Sequence, residues 1–158
     1  MGTFEGVTDS SLDRHVATYN IGRLHHALDA DETAEFAAAI DPINALAEAT
    51  PGFVWRLQDD DGRSSSHVPI PGNDDPLLIV NFSVWSNLES LQHFVNRSGH
   101  AMYLRRRREW FERSDEATAA NWWIEPGTIP TVAEAHERLL HLRSHGPTDR
   151  AWLLHDPH

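Results

Sequence analysis

Residues 79–111 read IVNFSVWSNLESLQHFVNRSGHAMYLRRRREWF, and this stretch carries both the fold and the candidate site. Its first part alternates with a period of two. Ile79, Asn81, Ser83 and Trp85 share one side, while Leu78, Val80, Phe82 and Val84 share the other, which predicts a strand with one apolar and one mixed face. A sheet that served only as core would not set Asn and Ser between Ile and Trp. The mixed face is therefore solvated, at an interface, or the floor of a pocket, and we read it as a pocket floor. The helical segments that follow bring His100 and four consecutive arginines, Arg105 to Arg108, towards it.

Charge is concentrated in the same stretch. From Arg97 to Arg113 six arginines face two acids, a local charge of +4 in a chain whose net charge is −11. The bland account is a solvated helix in which Glu112 pairs with Arg108 and Glu109 with Arg105 or Arg113. Four arginines in a row span a full helical turn, however, so at least one points inward. Leu104 and Phe111 mark the buried stripe, Arg107 lies closest to it, and His100 begins it. A buried arginine requires an anionic partner.

Working outward, residues 1–14 are polar and read as a loose N-terminal arm, followed by a single domain over 15–158. His15 to Ile21 reads as a strand with Thr18 and Asn20 on one face. Asp31 to Ala49 reads as an alanine-rich helix disturbed by Pro42. Phe53 to Leu57 is a second strand. Gln58 to Pro76, rich in Asp, Gly, Ser and Pro, is a long loop and a candidate lid with little to anchor it. After residues 79–111 come a strand at Thr118 to Ile124, a helix at Thr131 to Ser144 and a short strand at Arg150 to His155. The order strand, helix, strand, strand, helix, strand, with a helix–strand appendage, is that of a ferredoxin-like α+β unit, an antiparallel sheet with helices on one face. The other face is then left exposed and apolar. Six tryptophans exceed what one helical layer needs, which predicts a homodimer with the sheets face to face. Trp122 and Trp123 point to opposite faces of their strand and read as core or dimer packing.

Composition narrows the chemistry. A chain of 158 residues with 40% apolar content supports one compact domain. It contains no cysteine, which removes thiolate nucleophiles and zinc–thiolate sites, and all 13 basic residues are arginine, which removes Schiff-base chemistry. The N-terminal stretch has neither the basic flank nor the apolar run of a targeting peptide, so the expectation is a cytoplasmic protein. The acidic balance argues against nucleic acid and anionic membranes as partners.

The segments DPINALAEATPGFVWRLQDDDG (41–62), LIVNFSVWSNLESLQHFV (78–95), RSGHAMYLRRRREWFE (97–112) and WWIEPGTIPTVAEAHERLLHLRSHGPT (122–148) together closely resemble DUF3291, a bacterial family of uncharacterised domains. That family is similar to the dimeric α/β-barrel superfamily, which includes antibiotic biosynthesis monooxygenases. The resemblance implies a ligand held between sheet and helices within each subunit, with the sheets forming a dimeric barrel. It places Asn20, Asn81, Ser83 and Trp85 in the pocket and Phe94, His100, Leu104 and Arg107 in its helical wall. Haem-degrading members of the superfamily use an Asn, a Trp and a His ligand at positions that here fall on Asn20, Phe94 and Leu104. The histidine ligand is missing, and His100, one turn away, is its nearest substitute.

With Cys, Lys, a metal motif and a phosphate loop absent, the chemistry left is acid–base catalysis with hydrogen bonding. His100 is the expected proton-transfer residue. Asn20, Asn81 and Ser83 would hold an enolate or phenolate oxygen, Arg107 would offset negative charge, and Trp55, Trp85 and Trp110 would form apolar walls. The expected protein is a cofactor-independent enzyme for a small aromatic or polyketide-like substrate, a monooxygenase or a cyclase or isomerase, with no cofactor and no metal. The rival reading is a non-catalytic small-molecule-binding module of the same fold. His25-His26 and the His141/His145 pair have chelating spacing, yet histidines at a helix C-terminus suit the dipole without a metal. Ser83, His100 and Asp115 have the residue types of a hydrolase triad, but no nucleophile elbow surrounds Ser83.

Overall fold

The computed structural model describes residues 14–59, 65–66 and 68–158. The expected arm at 1–14 lies almost wholly outside the described residues, as does part of the 58–76 loop. The elements are β1 (His15–Arg23), α1 (Ala34–Ala49), β2 (Phe53–Arg56), β3 (Leu78–Trp85), α2 (Leu88–Arg97), α3 (His100–Arg105), β4 (Ala119–Ile124) and α4 (Val132–His145), with single 3-10 turns at Asp31–Thr33 and Arg107–Glu109. The four strands form one antiparallel sheet in the order β2-β3-β1-β4, the ferredoxin-like arrangement that the element order predicts.

Register decides which side chains share a face. Thr18 lies opposite both Ser83 and Asn121, and Asn20 lies opposite Asn81. Thr18, Asn20, Asn81, Ser83 and Asn121 therefore form one polar field across three strands, and α1 and α2 pack over that face. Residues of β1, β3, α1 and α2 close its far end in a cluster of Val16, Trp85, Leu91, Phe94 and Ala47, joined by Trp152 from the C-terminal segment.

The opposite face is apolar, as expected, but it is not left open. Ala17, Tyr19, Phe82, Val84 and Trp122 pack against Ala135, Leu139 and Leu142 of α4, and Tyr19 and Trp122 are fully buried. The appendage helix thus supplies a second helical layer, so helices cover both faces rather than one. The Tyr19 hydroxyl, whose pKa burial pushes up to about 12, shares a hydrogen bond of 3.1 Å with His136 Nδ1 and ties β1 to α4. Trp55 also lies on this face, edge-on to Phe82 at 5.4 Å.

Local chemistry explains several boundaries. Asn87 caps α2 by accepting from the Ser90 amide at 2.8 Å, and Thr131 caps α4 by accepting from the Glu134 amide at 3.1 Å. Pro42 leaves α1 unbroken: Ala38, whose carbonyl it frees, and Pro42 itself are both exposed, on the side of the helix open to solvent. Ser98 separates α2 from α3: its hydroxyl bonds back to the Phe94 carbonyl and accepts from the His100 amide at 3.2 Å. The arginine run is consequently not one helix, since α3 ends at Arg105 and a 3-10 turn begins at Arg107.

Two other expectations change. No strand forms at 150–155; Trp152 instead makes one antiparallel bridge to Asn121 on the edge of β4, with paired backbone bonds of 3.0 and 2.9 Å. In the 58–76 loop, Ile70 is buried in the apolar-face cluster, so the described part is anchored. No helix of the described residues is long and apolar enough to cross a membrane.

Candidate active site

A cavity of about 500 Å³ lies between the polar sheet face and the helices above it. That is the size of a small-molecule site. Thr18, Asn20, Asn81 and Asn121 line its floor, Phe36, Ile40 and Ile43 of α1 form an apolar wall, and His100, Tyr103, Leu104 and Arg107 form the wall opposite. The floor needs β1, β3 and β4 in register, because each strand contributes only every second residue to it. Gly22 also borders the cavity: a Cβ there would sit 2.6 Å from the Phe111 ring, so the ring packs against bare backbone.

His100 opens α3 as its first residue, and an aromatic stack holds its ring. Trp85 stacks on Phe94 at 5.2 Å between centroids, and Phe94 lies against His100 at 4.9 Å. Burial pushes the imidazole pKa below the ordinary histidine value, and a backbone hydrogen bond with Val95 opposes that shift without cancelling it. The ring is therefore neutral at pH 7. Its Nδ1 is buried with no hydrogen-bond partner among the described residues. A neutral imidazole with a free nitrogen at a cavity wall is equipped to take or give a proton.

The arginines divide their tasks. Arg106 is the paired member: it forms ion pairs with Glu35 of α1 and with Glu109 at 2.7 Å, and its guanidinium lies over Trp110 at 4.8 Å. These contacts raise the Arg106 pKa and hold the Glu109 carboxyl below the usual range. Arg107 is exposed at the cavity rim and makes no ion pair with the described residues. Glu112 bonds to Arg23, which also pairs with Asp75 at 2.7 Å, so neither expected partner of Glu109 and Glu112 is the observed one.

The family model described as "Domain of unknown function (DUF3291)" matches residues 15–158. The chain belongs to the DUF3291 family. No curated protein matches it. Among solved structures, SnoaB, a cofactor-independent oxygenase from Streptomyces nogalater, is similar at 18% identity over 75% of this chain and 99% of that one, with a TM-score of 0.45. NE2512 from Nitrosomonas europaea, a protein of unknown function, is similar at 12% identity over 75% and 95% of the two chains, with a TM-score of 0.46. Rv0793 from Mycobacterium tuberculosis is similar at 16% identity over 74% and 99%, with a TM-score of 0.44.

In this DUF3291 domain the residues expected at a site separate into two layers. Asn20, Asn81, His100, Leu104 and Arg107 line the cavity. Phe94, Trp85 and Trp110 are buried behind it: the first two support His100, while Trp110 packs against Phe36 at 5.6 Å and Tyr103 at 6.0 Å. Ser83 lies beside the floor but accepts from Trp85 Nε1 at 3.0 Å and does not reach the cavity. Trp55 is on the wrong face altogether. His141 and His145 stack at 4.3 Å, with His141 bonded to Thr148, and among the described residues no cluster of three or more His, Asp or Glu side chains could hold a metal. Asn121, Thr18 and Tyr103 were missed by the sequence reading. The alternation in Ala119–Ile124 does put Asn121 on the same side as Ala119 and Trp123, and that was the available signal.

Proposed function

We propose that this DUF3291 chain is a cytoplasmic, cofactor-independent enzyme that binds a small aromatic or polyketide-like molecule in the cavity and acts by proton transfer. The observation that carries the reading is the unpaired Nδ1 of a neutral His100 in the wall of a cavity floored by Asn20 and Asn81. His100 removes a proton from a C–H or O–H conjugated to a carbonyl. The amide N–H groups of Asn20 and Asn81 bond the oxygen on which charge develops, and Arg107 offsets that charge from the rim. Phe36, Ile40 and Ile43 cover the ring and exclude water. Returning the proton at a second carbon gives isomerisation, and attack within the substrate gives cyclisation. Reaction of a substrate methylene with dioxygen as co-substrate turns CH2 into C=O, and the two hydrogens leave with the second oxygen atom as water, so the substrate itself is the reductant.

Proton transfer is measurable before the substrate is known. With 2-tetralone as probe, exchange of its acidic C–H into deuterium oxide, followed by NMR, should be faster with the protein than in buffer and should fall about 100-fold or more in His100→Ala. The rate should hold its plateau below the ordinary histidine pKa, because burial keeps the base deprotonated there. Binding of the probe with exchange no faster than in buffer would sink the enzymatic reading and leave a non-catalytic binding module of the same fold.

A further inference from the structure

Asn121 is 2% exposed, yet its side chain is only half satisfied. Its amide nitrogen donates to the Trp152 carbonyl at 3.0 Å, which fixes the orientation of the group. The other end, Oδ1, is buried with no partner among the described residues. An acceptor left in that state is destabilising, so a fold that keeps one in a cavity floor gains only if something else donates to it. Asn121 lines the cavity, and Thr18, directly across the ladder from it, lines the cavity too. His100, another residue of the lining, also has a buried, unpartnered atom, Nδ1.

We propose that Asn121 is a specificity-determining residue and that the ligand presents a hydroxyl or N–H donor to its Oδ1. This makes the ligand a ring that carries a hydroxyl or N–H donor, a phenol being the simplest case, rather than a bare hydrocarbon or an ether. The inference rests on the cavity reading above and deepens it. Asn20 on β1 and Asn81 on β3 serve the oxygen that gains charge, whereas Asn121 serves one that keeps its proton. A site built around a buried polar group rejects an analogue that leaves the group unpaired far more strongly than an apolar wall rejects a change of size.

The test compares 1-naphthol with 1-methoxynaphthalene by isothermal titration calorimetry. The two rings match, and the second compound keeps the oxygen but lacks the donor. Wild-type protein should prefer the naphthol by about tenfold or more, and Asn121→Leu should abolish that preference while leaving the methoxy compound bound as well or better. The variant should fold, because the Trp152 carbonyl keeps its bond from the Asn121 backbone amide. Should Asn121→Leu fail to fold, Asn121→Ala, which also removes the acceptor, carries the same expectation, and the wild-type comparison is decisive alone. Equal affinities in the wild type, or a preference that survives the substitution, overturn the assignment of Asn121 and leave the enzymatic reading standing. No binding of either compound overturns both.

Discussion

His100 is the residue on which chemistry and stability meet. Its folded pKa is depressed by burial, so the neutral ring contributes stability that is fully present above the unfolded value near 6.5 and is lost as pH falls towards the folded value. His136 and His141 are shifted in the same direction, His136 by burial and Arg143, and His141 by burial and then His145, Arg150 and Arg138, with Asp149 opposing. Thermal unfolding should therefore show a melting temperature that falls between pH 7 and pH 5. His100→Leu should make that fall shallower; a slope unchanged in the variant would mean that His100 does not titrate on unfolding. The residue scale also shows where the sequence was legible. Alternation along β3 put Asn81 and Trp85 on one face correctly, but it carries no information on depth. Trp85 lies at the end of β3, where Leu91 and Phe94 of α2 fill the space, while Asn81 lies where the helices stand away from the sheet.

Among elements, the short α3 segment is the least expected and the most exposed to change. It is held by the Ser98 break before it and by the Arg106 contacts to Glu35 and Glu109 after it. Pairs this exposed contribute little to global stability because water and salt screen them. Arg106→Ala should leave the melting temperature nearly unchanged and raise amide hydrogen exchange across residues 100–110; protection there equal to wild type would show that the clamp is not what positions the wall. Caps are a different matter. Asn87→Ala removes the acceptor for the Ser90 amide and should cost about 1 kcal/mol in denaturant unfolding, whereas Asn87→Asp should cost much less. The arginine run shows what sequence spacing leaves open: Arg107 does line the cavity, but at its exposed rim, because a period of 3.6 presumes a continuous helix and the chain leaves the α-helix at Arg106.

For the whole molecule, α4 changes the argument about assembly. The apolar face left open in the sequence reading is buried within the chain, so a sheet-to-sheet dimer would require α4 to leave. Leu139→Ala should cost about 2–5 kcal/mol in denaturant unfolding, because Leu139 is fully buried between α4 and the sheet. A loss below about 1 kcal/mol would mean that α4 does not close that face. A homodimer stands as a proposal through some other surface, and light scattering decides it: a mass near 17.9 kDa at micromolar concentration withdraws it, and twice that mass keeps it.

The sequence by itself determined the local pattern. The alternation of β1, β3 and β4, the helical stripes and the capping residues set which elements form and in what order, and from them the α+β unit and its polar sheet face followed. These features are legible because they depend on neighbours within a few residues. Only the tertiary structure decided what each face meets. Cross-strand register set Asn121 beside Thr18, α4 closed the far face, and the two aromatic layers divided into those that touch the cavity and those that brace it. Such contacts join residues far apart along the chain, and their outcome depends on how whole elements pack rather than on any short-range period.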